Sequence, residues 1–120
     1  MDCIFCKIID GSIPSYTLYE DDLVKVFLDV NPISNGHTMI VPKKHIKDFD
    51  EIDEDTLSYI FKVARKIKKL LEEKLNIDGM TLTQNNGLSQ EVKHYHLHLI
   101  PNYKENNKLD IEEVYKKIMD

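Results

Sequence analysis

Two hydrophobic periods follow one another along the chain and divide it into elements. Between Ser15 and Val41 the apolar residues come in three runs of strand length, Ser15–Glu20, Leu23–Asp29 and Thr38–Val41. Asp21-Asp22 turns the first run into the second, and Asn31-Pro32 and Asn35-Gly36 mark the loop before the third. At Asp53 the period changes. Leu57, Ile60, Phe61, Ala64, Ile67, Leu71 and Leu75 recur at helical spacing, Asp53 suits an N-cap, and Glu54 and Asp55 suit a first turn. The spacing predicts one amphipathic helix ending near Asn76, with Arg65 and the lysines as its solvated face. Met80–Gln84 then reads as a strand, Asn85-Asn86-Gly87 as a turn and Val92–Ile100 as a further strand. Ile111, Val114, Tyr115 and Ile118 predict a short C-terminal helix. Strands joined mostly by short turns, with one long helix, predict an α+β fold built on an antiparallel sheet.

Composition narrows the class. A chain of 120 residues can bury one core, and without internal repeat or linker it reads as a single domain, 1–120. A net charge of −5 lacks the basic footprint that nucleic acid or an anionic membrane requires. No apolar run approaches the roughly 18 residues of a membrane span, and the acidic opening Met1-Asp2-Cys3 lacks a signal-peptide pattern. With two cysteines, the expectation is a cytoplasmic protein with reduced thiols.

The chemistry concentrates in VKHYHLHLIP, where three of the five histidines alternate. On a strand His94, His96, His98 and Ile100 share one face, and Tyr95, Leu97 and Leu99 take the other, which belongs against the core. Neighbouring imidazoles would stand about 7 Å apart and the outer pair about 13 Å, so one metal ion cannot join all three. Three readings follow: a solvated or partly satisfied histidine row, a zinc site using at most two of them, or a phosphate site. In the last, neutral imidazole is the nucleophile and the polar turn Asn85–Gln90 supplies donors. Asp29 ends an apolar run where its carboxylate could accept from two adjacent hydroxyls, or could simply favour the turn at Asn31-Pro32. Phe5, Ile8, Phe27 and Leu28 are candidates to sandwich a base, or to be plain core. Cys3 and Cys6 have the C-x-x-C spacing of half a tetrahedral zinc site, although a redox pair or two inert thiols have the same spacing.

HYHLHLI, preceded by GHTMIVPKKH and NNG, resembles the histidine triad (HIT) family of nucleotide hydrolases and transferases, and in particular its zinc-containing bacterial and archaeal branch. The likeness runs over nearly the whole chain from CIFCKIIDGSIPSYTLYEDD onward. It implies a compact sheet with a long helix, joined to a second copy as a homodimer, and a purine nucleotide, nucleoside phosphoramidate or dinucleotide as substrate. By position it implies that His96 is the nucleophile, that His98 contacts phosphate and that His37 lies close to the nucleophile. It likewise implies that Asp29 binds the ribose hydroxyls, that Asn85 lines the pocket and that Gln90 belongs to the phosphate loop. In zinc-containing members the site begun by Cys3 and Cys6 is completed at the positions of His45 and His94, as a closed structural site. The chain departs from the family in a shorter segment between NNG and the triad, in Ser89 for a common glycine, and in Asn102 for a frequent arginine. Two further functions stand beside the hydrolase: a nucleotide-binding sensor with little turnover, and a zinc-dependent hydrolase.

Overall fold

The structure is a computed structural model that describes residues 3–105 and 107–120; Met1 and Asp2, part of the acidic opening, lie outside the described residues. Its elements are α1 (Ile4–Ile9), β1 (Thr17–Glu20), β2 (Val24–Leu28), β3 (Thr38–Pro42), α2 (Glu54–Leu75), β4 (Gly79–Thr83), β5 (Leu97–Asn102) and α3 (Ile111–Met119), with a 3₁₀ turn at Gly87–Ser89. The strands form one antiparallel sheet in the order β1-β2-β3-β5-β4, an α+β architecture as the pattern predicts.

Register decides what each face of the sheet carries. Val26 pairs with Ile40, Ile40 with Leu97, and Thr38 with both Leu28 and Leu99, so these aliphatic residues look to one side. There they meet Ile60, Val63, Ala64, Ile67 and Leu71 of α2 in the main core. The long helix starts as expected, with the Asp53 carboxylate accepting from Thr56 N–H at 3.0 Å, and ends at Asn76 in a left-handed conformation (φ 57°). Phe61, expected on the apolar stripe, is 44% exposed, and Val63 takes its place beside Ile60 and Ala64.

The opposite face pairs Lys25 with Val41, Phe27 with Met39, and His98 with both Met39 and Thr83. Only part of it is covered, by α1, whose Phe5 and Ile8 pack with Cys3 against Phe27, Met39 and Val41. The sequence pattern contains no sign of α1, because six residues are too few for a helical period to register and too few to be stable alone. Tertiary contacts hold it: the Cys3 sulfur accepts from Cys6 N–H at 3.4 Å, and the buried Lys25 ammonium donates to the Ile8 carbonyl at 3.0 Å. What α1 leaves uncovered is a cleft.

The histidine strand begins later than predicted. Val92–Ile100 was the expected strand, but ladder pairing starts at Leu97 and continues to Asn102. The reason is at Pro42, which ends β3, has no N–H to offer, and gives its carbonyl to the His94 ring instead. Alternation survives upstream without the ladder, since Tyr95, Leu97 and Leu99 all enter the main core. Beyond Leu99 the one strand neighbour of β5 among the described residues is β4, an arrangement in which Pro101 is tolerated.

Candidate active site and metal cluster

The cleft on the half-covered face has a volume of about 550 Å³. One wall is apolar, from Phe5, Ile8, Phe27 and Leu28, and the floor carries His96, His98 and His37. Asp29 and Asn85 line it as well. His94 is fully buried and His96 is 4% exposed, which removes the reading of a solvated row. The ring centres of His96 and His98 are 4.7 Å apart, closer than the spacing of an ideal strand, because the two rings lean together edge to face.

Backbone groups set the proton on each ring. The carbonyl of His94 lies 2.8 Å from His96 Nδ1, so that nitrogen carries the proton and donates, and Nε2 keeps its lone pair. His37 is the reverse. Ile33 N–H donates to its Nδ1 at 3.0 Å, which places its proton on Nε2, and this donates to His98 Nδ1 at 2.9 Å. His98 in turn holds its proton on Nε2. The loop that presents His37 depends on Gly36 at φ 89°, where an added Cβ would stand 2.6 Å from Leu75 Cδ1. Asp29 anchors the other end, its Oδ1 accepting from Asn31 N–H at 2.9 Å and its Oδ2 lying 3.6 Å from His37 Nε2.

Burial keeps all these rings neutral. It holds His98 down to about 4, helped by His96 and His37 and opposed by Asp29. Burial also lowers His96, against the pull of the His94 carbonyl and of the carboxylates of Asp29 and Glu91. His37 is lowered by burial, with Asp29 opposing. A neutral imidazole with a free Nε2, backed by a carbonyl that accepts from Nδ1, is built to take on positive charge when it attacks an electrophile.

The first histidine faces elsewhere. His94 donates through Nε2 to the Pro42 carbonyl at 2.8 Å, leaving Nδ1 at 3.5 Å from Cys3 Sγ and 3.7 Å from Cys6 Sγ. His45 Nδ1 is 3.3 Å from Cys6 Sγ, and the four ligand atoms all lie within 4.8 Å of one another. With zinc–sulfur bonds of about 2.3 Å and zinc–nitrogen bonds of about 2.05 Å, the edges of a tetrahedral site are roughly 3.3–3.8 Å. The donor set and its spacing fit zinc. Among the described residues, the other group of potential ligands is Asp29, His37 and His98, and no group contains all three triad histidines.

Gln90 is placed differently from its neighbours. It does not line the cleft; its amide donates to the Lys47 carbonyl at 2.6 Å, and its Oε1 is buried without a partner. Met39, Thr83 and Glu91, which the sequence pattern did not mark as site residues, line the cleft, and so does Ser89 of the polar turn. Thr83 had a legible signal, since Thr81 and Thr83 alternate with Met80 and Leu82 along β4. The others are brought in by strand pairing and by a loop.

Comparison with known proteins agrees with this picture. A HIT-domain family model matches residues 10–105. An uncharacterised HIT-like protein of Methanocaldococcus jannaschii is 45% identical, over 97% of this chain and 98% of its own. An adenosine 5′-monophosphoramidase of Candida albicans is 44% identical, over 82% of this chain and 69% of its own. A zinc-bound histidine triad family protein of Mycobacterium smegmatis superposes with a TM-score of 0.90 at 31% identity, over 98% of this chain and 91% of that one. The matched span contains the three alternating histidines and His37, so fold, motif and relatives lead to one assignment: the chain belongs to the HIT-domain family.

Proposed function

We propose that this protein is a nucleotide hydrolase or transferase that cleaves a nucleoside phosphoramidate or dinucleoside polyphosphate at the α phosphate through a nucleotidyl-His96 intermediate. The observation that carries the reading is the fixed tautomer of His96, whose Nδ1–H is held by the His94 carbonyl while Nε2 is left free at the cleft floor. The Candida relative, named an adenosine 5′-monophosphoramidase, supports the same class.

The residues divide the work. The apolar wall takes the base, and Asp29 accepts from the ribose hydroxyls. His96 Nε2 forms a bond to phosphorus, the bond to the leaving group breaks with its electron pair as the leaving atom takes a proton from solvent, and the ring becomes cationic with Nδ1–H still on the His94 carbonyl. His98, held by His37, donates from Nε2 to a phosphoryl oxygen. Water then attacks phosphorus and the pair returns to His96. Asn85 lines the phosphate side, and for Gln90 to join it the amide must leave the Lys47 carbonyl. Cys3, Cys6, His45 and His94 would hold a zinc ion as a closed structural site, tying α1 to the sheet. β4, with one strand neighbour and Leu82 43% exposed, is the edge across which a homodimer would join its sheets.

Rapid quench of the protein with an adenosine phosphoramidate tests the reading. It should trap an acid-labile nucleotide on the parent and none on His96→Asn; an adduct-free reaction abolished by chelators would favour a zinc-dependent hydrolase.

A further inference from the structure

A cleft that handles phosphate would be expected to hold cations. Among the described residues lining this one, the charged side chains outside the histidines are Asp29 and Glu91, with no lysine or arginine. The lysine nearest Glu91 in sequence, Lys93, donates to the carbonyls of Gly87 at 2.6 Å and Gln90 at 3.0 Å.

The two carboxylates differ. Asp29 is engaged by Asn31 N–H and stands beside His37. Glu91 is exposed, lies on the loop that enters the triad, and among the described residues its carboxylate has no hydrogen-bond or ion-pair partner. Ser89 and Glu91 line the same cleft as His96, so a group attached beyond a phosphorus at His96 shares that cleft with the Glu91 carboxylate.

We propose that Glu91 is a specificity residue that reads the leaving group, selecting nucleoside phosphoramidates whose leaving amine carries a further cationic group and disfavouring leaving groups that are themselves chains of phosphate. This rests on His96 as nucleophile. The overall step is RO–PO₂⁻–NHR′ + H₂O → RO–PO₃²⁻ + R′NH₃⁺: the P–N bond breaks with its pair on nitrogen, water supplies oxygen to phosphorus, and both water protons end on the amine. The product amine is a cation, and Glu91 is the free carboxylate it meets. A polyphosphate leaving group would bring several negative charges to a wall that offers no cation.

The test compares two adenosine 5′-phosphoramidates that differ only at the end of a short alkyl arm, ammonium in one and carboxylate in the other, together with diadenosine tetraphosphate. The parent should prefer the ammonium arm in kcat/KM by about tenfold, the scale of a partly solvated charge pair reversed in sign. Raising the salt should shrink that preference, because Glu91 is exposed. Glu91→Gln should bring the ratio to within about twofold, and Glu91→Lys should invert it. An identical ratio in all three proteins overturns the role of Glu91 while leaving the His96 reading intact, and so does turnover of diadenosine tetraphosphate as fast as that of the ammonium substrate. If the parent cleaves none of the three and carries no adduct on His96, the nucleophile reading itself falls and takes this one with it.

Discussion

His94 and His96 are two residues apart, both buried, and each has one ring nitrogen on a backbone carbonyl. They nevertheless face different chemistries. His94 gives Nε2–H to Pro42 and turns Nδ1 to two thiols; His96 gives Nδ1–H to His94 and turns Nε2 to the cleft. The choice of which nitrogen meets a carbonyl turns one histidine toward the thiols and the other toward the cleft, which suits the metal-ligand and nucleophile roles proposed for them.

The sharpest way to break that contrast is to remove His96. His96→Asn keeps a polar side chain of similar reach, so the variant should fold, keep any zinc and bind nucleoside monophosphate with near-parental affinity. Turnover should fall by at least about a thousandfold, the scale set by loss of a covalent nucleophile. Steady-state kinetics beside a binding titration measure both halves, and robust turnover by the variant would end the contrast.

At the other end of the row, Cys3→Ser with Cys6→Ser should abolish zinc binding and destabilise the fold while leaving a folded protein measurable turnover. With free zinc a thousandfold above its dissociation constant, binding adds about 4 kcal/mol of stability. At roughly 4 °C per kcal/mol that is a drop of about 15 °C in melting temperature. Metal analysis and thermal melting report it. A double mutant that kept its melting temperature yet lost all activity would reverse the two roles.

A smaller effect should come from His37, which sets the proton on His98 rather than acting itself. His37→Phe leaves His98 Nδ1 without its donor. An unsatisfied buried acceptor costs on the order of 1–3 kcal/mol. The corresponding loss in kcat is roughly ten- to a hundredfold. His37→Gln, which restores an N–H donor, should recover part of it; equal rates for the two variants would remove His37 from the relay.

How much of this could be read from the residues alone differs between the strand and the loops. The alternation of Tyr95, Leu97 and Leu99 with the histidines was legible, because burial on one face of a strand has a period of two whether or not the ladder forms. The start of β5 was not, because it depends on what Pro42 lacks across the sheet. The α2 stripe was legible except at Phe61, where Val63 fits the core and a phenylalanine projects. α1 was invisible, since its stability comes from Phe5, Ile8 and Lys25 meeting residues far along the chain. Tautomers were equally invisible: nothing in HYHLH says which nitrogen a carbonyl will meet. Glu91 was missed because an exposed glutamate in a polar loop has no pattern, and only the cleft gives it a place.

The smallest effect, and the one that probes both histidine roles together, is on pH. With an ordinary imidazole pKa of about 6.5, a histidine nucleophile loses rate on the acid side of neutrality. The structure moves that limb lower. Burial lowers His96, and it takes His98 to about 4 with the help of its histidine neighbours. Both rings must be neutral in the free enzyme, so the acid limb of kcat/KM should lie below about 6.5. Stability follows with a definite sign. Because the folded pKa of His98 lies below the unfolded value, the unfolded chain takes up the proton first as pH falls. The contribution is complete above about 6.5 and is lost between there and about 4. The melting temperature of the zinc-replete protein should therefore drop between pH 6.5 and 4.5, and drop less in His98→Asn, which has no proton to gain there. An acid limb in kcat/KM at or above 6.5 would mean that water reaches these rings freely and that burial does not hold them neutral.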